Sequence, residues 1–121
     1  MHKVMSISTD NIVEIKEVES IEYETLSTAV NGMIELVSIN KDIDMWLNEE
    51  GKIIGLEPNV IASMIFYKAF SQLDIIKGNV IITGGSDDDG NTVGLSDESI
   101  QDIFALLQSG IEEANNQKED N

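Results

Sequence analysis

The sequence predicts an α+β fold in a single domain: a small antiparallel or mixed sheet with two or three helices packed on it. Three observations lead there. Short apolar runs rich in Val and Ile recur between turns built from Gly, Asp and Asn. Three other stretches change to helical spacing. A chain of 121 residues with 41% hydrophobic residues suits one core. The domain is read over residues 1–114, with 115–121 as a frayed acidic tail, because Asn115 to Asn121 offers no apolar residue.

Met1 to Asp10 shows no apolar core of signal-peptide length, and no segment approaches the length of a membrane span. Ile12 to Ile15 alternates as a first strand does, with Glu14 and Lys16 on its solvent side. Ile21, Leu26, Ala29, Val30 and Met33 follow at mostly helical spacing, and Gly32 offers a left-handed stop, so a helix is expected over about Ile21 to Asn31. Met33 to Ile39 and Ile43 to Leu47 form a hairpin around Asn40, Lys41 and Asp42. A second tight turn at Asn48 to Gly51 leads into Lys52 to Ile54, with Gly51 at the positive φ.

Pro58 suits the first turn of a helix. From Val60 to Phe70 that helix is apolar almost all round, which predicts burial on more than one face, by its own core or by a partner. Asn79 to Thr83 reads as a buried strand, and Gly84 to Asn91 as a turn before Thr92 to Leu95. Ser96 caps the last helix, Asp97 and Glu98 suit the positive end of its dipole, and Ile100, Ile103, Phe104, Leu107 and Ile111 form its apolar stripe.

Charge narrows function. Twenty-three acidic residues face 7 basic ones, giving a net charge of -16, and every basic residue is Lys. Such a surface repels nucleic acid and anionic membranes and attracts basic proteins. Without Arg there is no bidentate fork for phosphate or guanine. Direct nucleic-acid binding is therefore not expected. Cysteine is absent, which removes disulfides, thiolate nucleophiles and thiolate metal sites. A cytoplasmic location is the expectation.

No catalytic set emerges. His2, the single histidine, lies near the amino end, so a histidine base or triad is not expected. Adjacent carboxylates such as Glu49 and Glu50, or Glu112 and Glu113, do not converge on a cleft by their spacing. Asp87, Asp88 and Asp89 with Gly90 suggest a calcium loop, but with Asp89 and Gly90 at the fifth and sixth places the first is Gly85 and the twelfth Ser96. Neither end ligand exists, so no metal or cofactor is expected. Gly84 and Gly85 after a strand lack the Gly-Lys-Ser/Thr of a phosphate loop.

The placed segments resemble a family of short phage, prophage and plasmid proteins known only as a domain of unknown function. Leu26, Ala29, Val30, Gly32, Ile34 and Glu35 carry the first part of the resemblance. Asn48 to Lys52 with Gly55, Leu56 and Asn59 carry the second, and Asp74, Ile75, Ile76 and Gly78, the following strand and Ser96 the third. The resemblance spans most of Glu24 to Leu107 and implies a mobile-element origin without an activity. It departs at Val60 to Phe70, where the family is usually polar.

Two surfaces therefore become candidates. One is acidic: Glu14, Glu17, Glu19, Glu22 and Glu24 early, Asp42, Asp44, Glu49, Glu50 and Glu57 in the middle, and Asp87, Asp88 and Asp89 with Asp97, Glu98 and Asp102 late. If the fold gathers these zones on one side, they mimic the spaced charge of a nucleic-acid backbone toward a basic nucleic-acid-binding host protein. The other is apolar, Trp46, Met64, Phe66, Tyr67 and Phe70, and suits core packing or self-association as a homodimer. Sequestration of a small molecule is a third option.

Overall fold

The computed structural model describes residues 1–119, and side chains through residue 117. Strands β1 (His2–Ile7) and β2 (Val13–Val18) precede helix α1 (Tyr23–Val30). Strands β3 (Ile34–Asn40) and β4 (Ile43–Asn48), helix α2 (Val60–Phe70), strand β5 (Val80–Thr83) and helix α3 (Asp97–Glu119) follow. The strands form one sheet in the order β2-β1-β5-β4-β3, and every pairing is antiparallel. Two hairpins thus flank the last strand in sequence. β5 is buried at all four positions, as a strand covered on both faces must be.

Helices cover both faces. On one face Met5, Ile7, Ile43, Met45, Val80 and Ile82 pack against Ala62 and Ile65 of α2 and Ile103 and Leu107 of α3. On the other, Val4 and Ile81 pack against Leu26 and Val30 of α1, with Trp46 and Ile34 at the margin. The alternation along β4 sorts Ile43, Met45 and Leu47 from Asp44, Trp46 and Asn48 in the same way.

Several elements differ from the sequence reading. His2–Ile7 is an interior strand, not an unassigned end, so the strand expected first is the second, and an edge. Lys52 to Ile54 is a run of turns and not a strand. Its left-handed residue is Gly55 (φ 72), while Gly51 is needed for space, since a Cβ there meets the Lys77 carbonyl oxygen at 3.0 Å. The left-handed stop of α1 is Asn31 (φ 61), not Gly32, whose missing side chain admits the Asn48 amide. Thr92 to Leu95 makes an isolated bridge, Thr92 with Ser86, and a few backbone bonds, Gly84 to Val93, Val93 to Gly85 and Leu95 to Lys3, rather than a strand. α3 runs through Glu119, past the boundary read at residue 115; residues 120–121 of the expected tail lie outside the described residues.

Two buried asparagines fasten the layers together. Asn59, 0% exposed, caps α2 by accepting from the Ala62 amide at 3.0 Å. Its own amide donates to the carbonyls of Ile7 (3.0 Å) and Gly78 (2.9 Å), tying α2 to the end of β1 and the entry to β5. Asn48 donates to the Val30 and Asn31 carbonyls and accepts from the Glu50 amide, locking the exit of α1 to the exit of β4. Pro58 therefore stands just ahead of the cap, not inside the first turn.

Candidate functional site

Strand direction decides where the carboxylates gather. Because all neighbours are antiparallel, β1 and β4 begin, and β2, β3 and β5 end, at the same end of the sheet. Three connections leave from that end: β2 to α1, β3 to β4, and β5 to α3. Glu17 and Glu19 lie at the close of β2, and Glu22 and Glu24 at the start of α1. Asp42 occupies the β3–β4 turn, Asp87, Asp88 and Asp89 the long loop, and Asp97 and Glu98 the first turn of α3. All of these are exposed. They make one acidic pole from residues scattered over the chain.

Local structure holds the pole in shape. Gly85 lies against the β3–β4 turn so closely that a Cβ would stand 2.2 Å from the Lys41 carbonyl oxygen, and one on Gly84 would stand 2.4 Å from that of Gly94. Asp87 turns its own loop by accepting from the amides of Asp89 and Asn91, both at 2.9 Å, with Gly90 at φ 83. Ser96 caps α3 through the Ser99 amide at 3.0 Å. Lys3 pairs with Asp97 at 2.8 Å, and this hydrogen bond and charge hold the Asp97 carboxyl below its ordinary value. Among the described residues no group of three or more carboxylates or histidines is placed to hold a metal ion.

The remaining acidic candidates lie elsewhere. Glu49, Glu50 and Glu57 follow β4 at the opposite end, beside Asp74, which pairs with Lys52. Glu14 stands on the outer edge of β2, opposite Ser6 of β1. Asp44 is buried, 6% exposed, between Ser38 and Thr83 on the α1 face. Burial raises its carboxyl above the ordinary value, against the opposing pull of the Ser38 hydroxyl.

The apolar candidates separate too. Trp46 belongs to the α1 face, where its indole donates to the Thr83 hydroxyl at 2.9 Å. Phe66 packs at the edge of the main core with its ring tilted by 48° against that of Phe70, ring centres 4.8 Å apart. Met64 and Tyr67 line a groove of about 410 Å³ between α2 and the later part of α3, with Leu73 also in its lining. Sequence reasoning missed Leu73 and Gly110. A Cβ on Gly110 would meet Met64 at 2.6 Å, a contact that only the packed helices reveal.

The fold and these surfaces define a small acidic α+β domain with one charged pole and one apolar groove. No helix among the described residues is long and apolar enough to cross a membrane. The chain belongs to the family described as Domain of unknown function (DUF3846), whose model matches residues 1–108. That match takes in β1 and stops inside α3. No curated protein and no solved structure matches the chain.

Proposed function

We propose that the chain is a non-enzymatic accessory protein of a phage or plasmid that acts in the host cytoplasm. It binds a basic nucleic-acid-handling host protein, of restriction or CRISPR effector type, and occupies that protein's nucleic-acid groove. The acidic pole carries this reading: three connections bring exposed carboxylates to one end of the sheet, with Lys3 and Lys41 the lysines beside them. Spaced carboxylates on a stiff support offer a basic groove what it normally draws from phosphates. The protein itself takes no cofactor and touches neither nucleic acid nor membrane.

The test is competition at one salt concentration and direct binding over several. A basic effector nuclease is bound to labelled DNA, the chain is titrated in and displacement is followed by gel shift; binding of the chain to the DNA-free nuclease is then measured over a salt series. The reading predicts displacement, and an affinity for the DNA-free nuclease that falls steeply from about 0.05 to about 0.3 M salt, as counterion-dependent contacts do. No displacement, or an affinity insensitive to salt, contradicts it.

A further inference from the structure

We propose that β3 is a self-pairing edge: two copies of the chain join β3 to β3 in antiparallel, centred on Leu36, so that the sheet continues from one molecule into the next. The order β2-β1-β5-β4-β3 leaves two edges. Charge guards one of them, since β2 carries Glu14, Lys16 and Glu17 among its 6 residues, and such side chains turn a second strand away. β3 carries Glu35 alone among its 7, in a chain of which 25% is charged. It is the unguarded edge.

The backbone groups left open on β3 fit a strand. The Glu49 amide donates to the Met33 carbonyl at 2.9 Å, which marks Met33 and Glu49 as a bonded position of the β3–β4 ladder. By antiparallel alternation Glu35 with Leu47 and Val37 with Met45 are bonded positions too. Ile34, Leu36 and Ser38 therefore direct their amides and carbonyls outward. No backbone group of a loop or helix among the described residues bonds to them, and the Leu36 side chain is 48% exposed.

Register and charge select a second copy as that strand. About a two-fold axis at Leu36, Ile34 meets Ser38 of the second copy, Leu36 meets Leu36, and Ser38 meets Ile34, so every outward amide and carbonyl finds a partner. Glu35 then stands opposite Val37. With the axis at Glu35 the two carboxylates would face each other, and with the axis at Val37 the pairing of Ile34 with Asn40 would cross the irregularity between Ser38 and Asn40. An antiparallel junction also points the two acidic poles in opposite directions, because each pole occupies one end of its sheet. The densest like charge of two molecules of net charge -16 is thus kept apart. This inference goes beyond the proposed function and does not depend on it, since the pole lies at the strand ends and not on this edge.

Sedimentation velocity of the intact chain tests it, from about 1 μM to about 0.1 mM and at about 0.05 and about 0.5 M salt. A monomer–dimer equilibrium that strengthens with salt is expected, because screening weakens the repulsion and leaves the main-chain bonds in place. Leu36→Pro removes an amide that only the second copy uses and weakens the dimer about tenfold or more. Leu36→Lys keeps that amide and has the same effect by opposing two cations. The chain lacks cysteine, so single cysteines report the register under mild oxidation with oxidised glutathione. Leu36→Cys cross-links to its counterpart, whereas Ser38→Cys, about 13 Å from its own in this register, lies beyond disulfide reach and does not. A monomer at every concentration and salt, a dimer that Leu36→Lys leaves intact, or cross-linking of Ser38→Cys as ready as that of Leu36→Cys overturns the inference.

Discussion

Replacing Asn59 with Ala removes the cap of α2 and, with it, two hydrogen bonds that join three elements. Loss of a capping side chain costs about 1 kcal/mol. The amide also serves the Ile7 and Gly78 carbonyls at 3.0 and 2.9 Å in a site with 0% exposure. Leaving each buried acceptor without that donor costs about 1 to 2 kcal/mol more. The sum, about 3 to 5 kcal/mol, is a large part of the 5 to 15 kcal/mol that roughly holds a domain together. Urea unfolding followed by the fluorescence of Trp46, the single tryptophan, measures it. Asn59→Ser restores the cap acceptor alone and is expected to recover only about 1 kcal/mol. A loss below about 1 kcal/mol for Asn59→Ala refutes the reasoning, since it means that water or other donors already serve those carbonyls.

Three further outcomes follow from the same geometry. Asp44→Asn removes a carboxylate whose charged form burial disfavours. A carboxyl raised in the fold weakens stability as pH rises through its folded value, so Asp44→Asn is expected to be the more stable chain near neutral pH. Its advantage shrinks as pH falls toward the ordinary value of 3.8, as pH-dependent urea midpoints will show. Gly85→Ala drives a Cβ against the Lys41 carbonyl oxygen, a backbone atom that cannot swing aside. The cost of about 1 to 3 kcal/mol exceeds the fraction of a kcal/mol gained by restricting the unfolded chain, so the melting temperature drops. Gly110→Ala sets a Cβ 2.6 Å from both Cγ and Sδ of Met64, so the Met64 side chain must shift and the groove between α2 and α3 narrows. The melting temperature is expected to fall by less than for Gly85→Ala, since a side chain can move and Ala favours the helix by about 1 kcal/mol over Gly.

Local chemistry made some elements plain and long-range pairing hid others. Helix α2 spans Val60–Phe70 as its nearly all-round apolar pattern predicts, and the β3–β4 hairpin forms around the Lys41 and Asp42 turn. The Ser96 cap is also where the sequence places it. β1 was not legible, because His2, Lys3 and Ser6 interrupt its apolar residues and one of its two partners, β5, lies up to 77 positions away, as with Met5 and Ile82. The acidic zones could be read as zones, but which of them share an end depends on β5 inserting between two hairpins. Asn59 stood in the run that carried the family resemblance, yet its role as a three-way fastener depends on carbonyls 52 and 19 positions away in the chain.

On the proposed function, the arrangement of carboxylates, and not the total charge, makes the recognition surface. Two variants of equal net charge separate these: Asp87→Asn with Asp88→Asn and Asp89→Asn at the pole, and Glu49→Gln with Glu50→Gln and Glu57→Gln at the opposite end. Measured by displacement of DNA from a basic effector nuclease, the pole variant is expected to lose about tenfold or more in potency while the other keeps it. Equal losses in the two, or none in either, contradict that proposal.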